Sequence, residues 1–138
     1  MMQQTRDAHT HRVGDELPAL TKVLTQNKIH RYADASGDHN PLHVDPIFAA
    51  GTQFGGTIAH GMLVLAYISE MMTAEFGRSW AEGGGLKVRF RGAARPGDTV
   101  TASGRVVRTQ GERVVCEVEC RSQRGEVLIS GEASVRIS

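Results

Sequence analysis

The sequence predicts an α+β domain in which an antiparallel β-sheet wraps around one long central helix. The chain has 138 residues, which is the size of one domain. Residues 59–76 form a long apolar stretch with helical spacing, and from residue 86 onward apolar and polar residues alternate between glycine-containing turns. One helix followed by a run of strands is typical of an α+β fold, with the helix buried against one face of the sheet.

The beginning of the chain carries no pattern of a folded element. Residues 1–12 are polar and contain no apolar run, so we expect a flexible N-terminal tail and a folded domain spanning residues 13–138. The same segment lacks the apolar core of a secretory signal. The longest apolar run, residues 62–68, is far shorter than the ~20 residues of a membrane span. These features predict a cytoplasmic protein that does not enter a membrane.

Two short helices are predicted before the long one. Ile29, Tyr32 and Ala33 have helical spacing, and Gly37 suits the position just after a helix, where positive φ is required. A helix over residues 27–37 is therefore expected. Asp45 followed by proline is typical of a helix start, which predicts a second short helix that stops at Gly51.

The long helix at residues 59–76 has no charged residue in its first two turns. Its small and apolar residues fall on one stripe, which is the predicted core-facing side. The absence of charge predicts a helix that is buried nearly all round. The members of the stripe are Met62, Leu65, Ala66, Ser69, Met72 and Thr73.

The second half of the chain predicts three or four strands. Residues 86–91, 99–109, 114–121 and 127–137 each alternate apolar with polar side chains. Turns at Pro96-Gly97-Asp98, Gly111 and Gly125 separate them. The last three strands should form a meander.

Charge and cysteine content exclude several classes of function. The 16 basic and 15 acidic residues give a net charge of +1, so no global field attracts nucleic acid or anionic lipid. Cys116 and Cys120 lie about 13 Å apart on one predicted strand, too far for a disulfide, and should be buried thiols. Histidines and cysteines lack metal-ligand spacing, so no metal site is predicted.

The segment at residues 36–43 reads Ser-Gly-Asp-His-Asn-Pro-Leu-His. Together with Ala-His-Gly-Met at residues 59–62, Ser69 and the Pro-Gly-Asp turn at 96–98, it resembles the MaoC-like hydratases. The resemblance covers most of the chain after the tail. It implies a single hot-dog domain, a homodimer or a higher oligomer built from it, and an acyl thioester substrate. The implied reaction is that of (R)-specific enoyl-CoA hydratases, which add water to trans-2-enoyl-CoA. No cofactor is implied, because coenzyme A or phosphopantetheine is part of the substrate.

Hydration requires three groups: one that accepts a proton from water, one that protonates Cα, and a donor for the thioester oxygen. Asp38 and His43 can hold one water between them, because Asn40 and Pro41 bend the chain that joins them. The resemblance assigns both residues as catalytic. A carboxylate and a neutral imidazole can each accept a proton near neutral pH, so the base and acid roles stay open here.

Gly61 opens the long helix, where unpaired N–H groups and the helix dipole favour negative charge. We predict that its N–H binds the thioester oxygen. Ser69 matches a family position that helps to orient the site, although a hydroxyl bonded to its own helix explains it equally well. His60 is predicted to support the motif by hydrogen bonding rather than to act as a second catalytic histidine.

A set of basic residues follows the long helix. They could meet the phosphates of coenzyme A or of an acyl carrier protein, although a solvated charged face explains them equally well. The set comprises Lys87, Arg89, Arg91 and Arg95.

Other activities remain open from the sequence. A (3R)-hydroxyacyl dehydratase of fatty acid or polyketide synthesis would use a carrier-protein substrate with the same reacting end. A hot-dog acyl-CoA thioesterase is less favoured, because such enzymes generally place their carboxylate differently. A non-catalytic acyl-CoA-binding protein would not need Asp38 and His43 together. Acyl chain length depends on pocket depth, on which the motif carries no information.

Overall fold

The computed structural model describes residues 10–137. The helices are α1 (Gln26–Ser36), α2 (Pro41–Val44), α3 (Pro46–Ala50), α4 (Gly61–Phe76) and α5 (Arg78–Gly83). The strands are β1 (Leu20–Val23), β2 (Gly84–Phe90), β3 (Thr99–Gln110), β4 (Arg113–Ser122) and β5 (Val127–Arg136). Helix α4 packs on the sheet, and its large side chains form the centre of the core with those of β3, β4 and β5.

The five strands form one antiparallel sheet in the order β1-β3-β4-β5-β2. The predicted meander is confirmed, because Cys120 pairs with Ala102 of β3 on one side and with Ile129 of β5 on the other. Strand β2 pairs with β5 alone, so its outer edge is open within residues 10–137.

The predicted end of α1 and the predicted start of α3 are correct because local chemistry fixes them. Gly37 adopts φ +80° and donates its N–H to Ala33 O at the end of α1. Asp45 caps α3 by accepting from the N–H groups of Ile47 and Phe48. The long helix runs over residues 61–76, two residues shorter at its start than predicted.

The prediction of the buried face of α4 is wrong. The buried side chains are Val64, Tyr67, Ile68, Met71, Met72 and Phe76. Of the predicted stripe, Met72 alone is buried, whereas Met62 is 57% exposed and both Ala66 and Thr73 are exposed. Both sides of this helix are apolar, so periodicity could not identify the side that meets the sheet. The side with the larger side chains packs on the sheet. The helix is therefore not buried all round within one chain.

Three elements were not predicted. Strand β1 has four residues with a mixed pattern, α2 is a single turn, and α5 has six residues. Each is too short to show a periodicity of its own.

The expected N-terminal tail falls partly outside the described residues, which begin at Thr10. His11, inside that expected tail, is 3% exposed, stacks on Phe76 and lies 3.0 Å from Glu75 Oε2 through Nε2. The described part of this segment is thus anchored on the C-terminal turn of α4. Among the described residues, no helix combines the length and apolarity needed to cross a membrane.

Candidate active site

Asp38 lies directly after the C-terminal end of helix α1. The left-handed Gly37 turns the chain out of the helix, and Asp38 follows with its N–H donated to Ser36 Oγ at 3.2 Å. Its carboxylate oxygen Oδ1 accepts from the N–H of Asn40 at 3.2 Å. The side chain is exposed, so the carboxylate has free lone pairs toward solvent.

Helix α2 brings His43 back toward Asp38. Asn40 caps this helix by accepting from the N–H of Leu42 at 3.0 Å, and Pro41 takes the first helical position. The single helical turn that results reverses the chain between Asp38 and His43. The sequence predicted that Asn40 and Pro41 bend this segment, and the bend takes the form of a capped helical turn.

The ring of His43 is fixed in one tautomer. Its Nδ1 lies 2.8 Å from the main-chain carbonyl of Ile58. Because a carbonyl can only accept, Nδ1 carries the proton in the neutral ring and Nε2 presents a lone pair.

His60 contacts both Asp38 and His43. It is 3% exposed and donates from Nε2 to the main-chain carbonyl of Asp38 at 2.9 Å. Its ring stacks on that of His43 with centroids 3.9 Å apart and planes inclined by 26°, and Tyr32 packs on it at 4.8 Å. Within the described residues its Nδ1 has no hydrogen-bond partner. These contacts agree with the supporting role predicted for His60.

Asp38, His43 and His60 each offer a ligand atom, and these atoms lie within 4.8 Å of one another. Residue spacing did not predict this cluster, because His60 is 17 residues from His43. An imidazole binds a metal ion in its own ring plane. Planes stacked 3.9 Å apart and inclined by only 26° do not meet close to the rings, so this arrangement does not suit one ion shared by both histidines.

Gly61 is the first residue of α4, where the helix itself supplies no acceptor for the N–H group. A Cβ at this position would lie 2.9 Å from Cε1 and 3.0 Å from Cδ1 of Phe90. Glycine therefore lets Phe90 of β2 pack against the helix start. This geometry is compatible with the predicted contact to a thioester oxygen.

Ser69 lies eight residues after Gly61, about 12 Å further along the helix. Its hydroxyl accepts a hydrogen bond from Trp80 Nε1 at 2.8 Å and so ties α4 to α5. This bond accounts for the hydroxyl within the protein, and the orienting role of Ser69 stays a prediction.

Lys87, Arg89 and Arg91 lie on one face of the sheet, where they line a groove with Ser130 and Glu132, and Arg95 is not part of that groove. Leu86 and Val88 pack on the core, so the alternating Lys87 and Arg89 point to the face away from α4. Arg91 donates from Nε to Ser130 Oγ at 2.6 Å. Arg95 is half-buried in the loop after β2, with Nη1 3.9 Å from the position of a Cβ on Gly56. Gly56 leads directly into the segment that carries His60, so Arg95 lies close to that segment.

Cys116, Cys120 and Asp98 lie outside the cluster and have shifted pKa values. Burial raises the pKa of Cys116 to about 11 and that of Cys120 to about 12, so both are the buried neutral thiols that the sequence predicted. Burial of Asp98 opposes ionisation. Hydrogen bonds from Arg124, the N–H of Arg95 and Gln123 outweigh that burial and lower the pKa of Asp98 to about 2.

Sequence reasoning missed the groups that hold the site together. The acceptors for His43 and His60 are main-chain carbonyls of Ile58 and Asp38, which no residue type identifies. Gln26 donates to the main-chain carbonyl of His43 and accepts from Thr57. These two residues lie 17 and 14 residues from His43 and form no recognisable motif with it.

Comparison with known proteins gives concordant results. A family model described as "MaoC like domain" matches residues 8–126. An (R)-specific enoyl-CoA hydratase of Rhodospirillum rubrum is 34% identical over 121 residues, which cover 86% of this chain and 83% of that protein. A 3-hydroxybutyryl-CoA dehydratase of Methylorubrum extorquens is 32% identical over 119 residues, which cover 86% of this chain and 76% of that protein. The unliganded R-hydratase PhaJ1 of Pseudomonas aeruginosa has a TM-score of 0.84 at 28% identity, covering 95% of this chain and 84% of that one.

Proposed function

Because this chain belongs to the family of MaoC-like domains and has their hot-dog fold, we propose that it is a hydro-lyase that hydrates trans-2-enoyl-CoA reversibly to (3R)-hydroxyacyl-CoA. The observation that carries the proposal is the free Nε2 lone pair of His43 beside the exposed carboxylate of Asp38. The names of the two relatives, a hydratase and a dehydratase, describe the two directions of one such reaction.

We assign the proton-transfer roles on the basis of the His43 tautomer. In the hydration direction, Nε2 accepts a proton from water while the water oxygen forms its bond to Cβ. Asp38 accepts the second hydrogen bond of that water and orients it. The imidazolium then delivers the same proton from Nε2 to Cα, so that one water is added across the double bond and His43 returns to its starting state.

The start of α4 supplies the electrostatic part of the mechanism. As water attacks Cβ, negative charge develops on the thioester oxygen. The N–H of Gly61 points from the positive end of a 16-residue helix, and no side chain at position 61 blocks the approach of the thioester.

The direct test follows the enzyme with crotonyl-CoA and with the crotonyl thioester of an acyl carrier protein. The expected result is loss of enoyl absorbance, a (3R)-hydroxybutyryl product on chiral analysis, and faster turnover of the CoA ester. A (3S) product or release of free thiol would refute the proposal, and free thiol would identify a thioesterase. Preference for the carrier-protein ester would identify the biosynthetic dehydratase instead.

We propose a homodimer as the working form. Strand β2 has an open outer edge in the described chain, and edge strands invite pairing with another chain. Next to it, Phe90 is 54% and Met62 is 57% exposed, which leaves an apolar surface beside Gly61. Light scattering on a size-exclusion column should give twice the chain mass of 14.9 kDa, and an active monomer would contradict the proposal.

Arg95 is the basic residue that we propose for contact with the coenzyme A phosphates, since it adjoins the segment before His60. Arg95→Ala should raise KM for crotonyl-CoA but not for crotonyl-pantetheine, which lacks the nucleotide phosphates. Arg89→Ala is the control, because Arg89 lies on the sheet face that points away from α4. Equal KM changes for both esters would exclude the phosphate contact.

We further propose that the protein acts in the cytoplasm and needs neither a metal nor a redox cofactor. Hydration changes no oxidation state, and His43 and Asp38 supply the proton transfers. Activity should survive dialysis against EDTA, and recovery by added Zn²⁺ after such treatment would contradict this.

A further inference from the structure

We propose that Gln26 is a positioning residue that holds His43 in place for proton transfer. This inference rests on the proposed role of His43. Gln26 is the first residue of α1, the helix that ends just before Asp38. Its side chain is half-buried and reaches the segments that carry His43 and His60, so that one amide connects the three segments that form the cluster.

Both ends of the Gln26 amide are used. Nε2 donates to the main-chain carbonyl of His43 at 2.9 Å, and Oε1 accepts from Thr57 Oγ1 at 2.6 Å. Because the carbonyl of His43 can only accept, only one orientation of the amide satisfies both contacts. Thr57 itself is 9% exposed, so its hydroxyl is in a place where a lost hydrogen bond is costly.

Four hydrogen bonds link Gln26, Thr57, Ile58 and Leu42 to one another and to His43. Thr57 precedes Ile58, whose carbonyl accepts from Nδ1 of His43. The N–H of Ile58 in turn donates to Leu42 O at 3.3 Å. Gln26 thus fixes the backbone of His43 from one side, and the segment that it holds through Thr57 fixes the ring from the other.

The consequence concerns the orientation of Nε2. If the segment at Thr57 shifts relative to His43, the Nδ1–H bond to Ile58 lengthens and the ring loses its single tautomer. A ring in mixed tautomers presents an N–H at Nε2 for part of the time and cannot then accept a proton from water. Gln26 therefore controls the rate of the proton transfer through its hold on His43.

The test compares Gln26→Met with Gln123→Met. Methionine keeps the length and bulk of glutamine but removes the hydrogen bonds of the amide to His43 and Thr57, together with its 3.1 Å contact to His30 Nδ1. Gln123 also bridges two segments, donating to Asp98 Oδ1 and accepting from the N–H of Thr99, and it touches no segment of the cluster. We expect Gln26→Met to lower kcat about tenfold or more with KM within about twofold, since small misplacements of catalytic groups cost rate rather than binding. Gln123→Met should keep kcat near the wild-type value.

A spectroscopic measurement separates positioning from general loss of structure. The ¹⁵N signals of the His43 ring, assigned by their absence in His43→Ala, should show one protonated and one unprotonated nitrogen in the wild type. In Gln26→Met they should move toward each other. Thr57→Val, which is isosteric, should show the same changes at smaller size and serves if Gln26→Met does not fold.

Unchanged ¹⁵N signals, or a kcat of Gln26→Met equal to that of Gln123→Met, would overturn the inference. The ¹⁵N measurement requires no turnover. If the wild-type protein fails to hydrate crotonyl-CoA, the proposed function is refuted while the effect of Gln26 on His43 is still decided.

Discussion

Replacing Asp98 by asparagine should destabilise the domain by an amount that depends on pH. Asp98 is 3% exposed and accepts hydrogen bonds from both Nη atoms of Arg124, at 2.8 and 3.0 Å, from the N–H of Arg95 and from Gln123. Its pKa is lowered from 3.8 to about 2 in the folded protein. Because one pKa unit corresponds to about 1.4 kcal/mol, the ionised side chain contributes on the order of 2 kcal/mol to the free energy of unfolding.

The sign of the pH dependence follows from the lowered pKa. The contribution of Asp98 is fully present above about pH 4 to 5, where the side chain is ionised in the folded and unfolded states alike. It is lost as the pH falls from about 4 toward 2, because the unfolded chain takes up the proton first. The asparagine side chain of the Asp98→Asn variant does not titrate, so the stability difference between the two proteins should narrow over this interval.

Urea unfolding at a fixed protein concentration, at pH 7, 5, 4 and 3, measures the difference directly. For a chain of 138 residues, about 2 kcal/mol corresponds to a shift in Tm of about 7 °C. Glu119→Gln is the matched control, because Glu119 also pairs with an arginine but its side chain is 31% exposed. A stability difference below about 0.5 kcal/mol at pH 7, or one that does not narrow at pH 3, would refute the reasoning.

Three further predictions concern the site and the core. Asp38→Asn and His43→Ala should each lower kcat about a hundredfold or more while circular dichroism stays native, because they remove proton transfer rather than packing; near-normal turnover would exclude the assignment. Gly61→Val should lower kcat/KM for crotonyl-CoA at least about tenfold, since its side chain would meet Phe90 and crowd the thioester, whereas His60→Gln should mainly lower Tm; wild-type kinetics in Gly61→Val would contradict this. Cys120 should resist iodoacetamide at pH 8 until urea is added, because burial raises its pKa to about 12; rapid alkylation of the native protein would refute the burial argument.

The predictable parts of the fold are those that a few neighbouring residues determine. Gly37 ends α1 because it adopts positive φ, and Asp45 starts α3 because its carboxylate caps two N–H groups. The strands from β2 to β5 follow from alternation alone. The side of α4 that meets the sheet was not predictable, because Met62 and Ala66 are as apolar as the residues on the buried side.

The candidate site was predictable only as far as its motif extends. Asp38, His43, His60 and Gly61 were identified from the sequence, and the structure brings the first three within 4.8 Å of one another. The stacking of His60 on His43 and the bridge from Gln26 depend on how α1, α2 and the start of α4 meet. No local sequence pattern predicts the relative placement of these three elements, because it results from the packing of the whole domain.

The choice of a main-chain carbonyl as the partner of His43 affects how the protein tolerates mutation. Many enzymes fix a histidine tautomer with a carboxylate side chain, which a single substitution can delete. Here the acceptor is the backbone oxygen of Ile58, and every amino acid at position 58 retains that oxygen. Position 58 can therefore change among residues of similar bulk without loss of the tautomer, and the sensitivity to mutation lies in His43 and in the Gln26–Thr57 pair that holds the segment of Ile58.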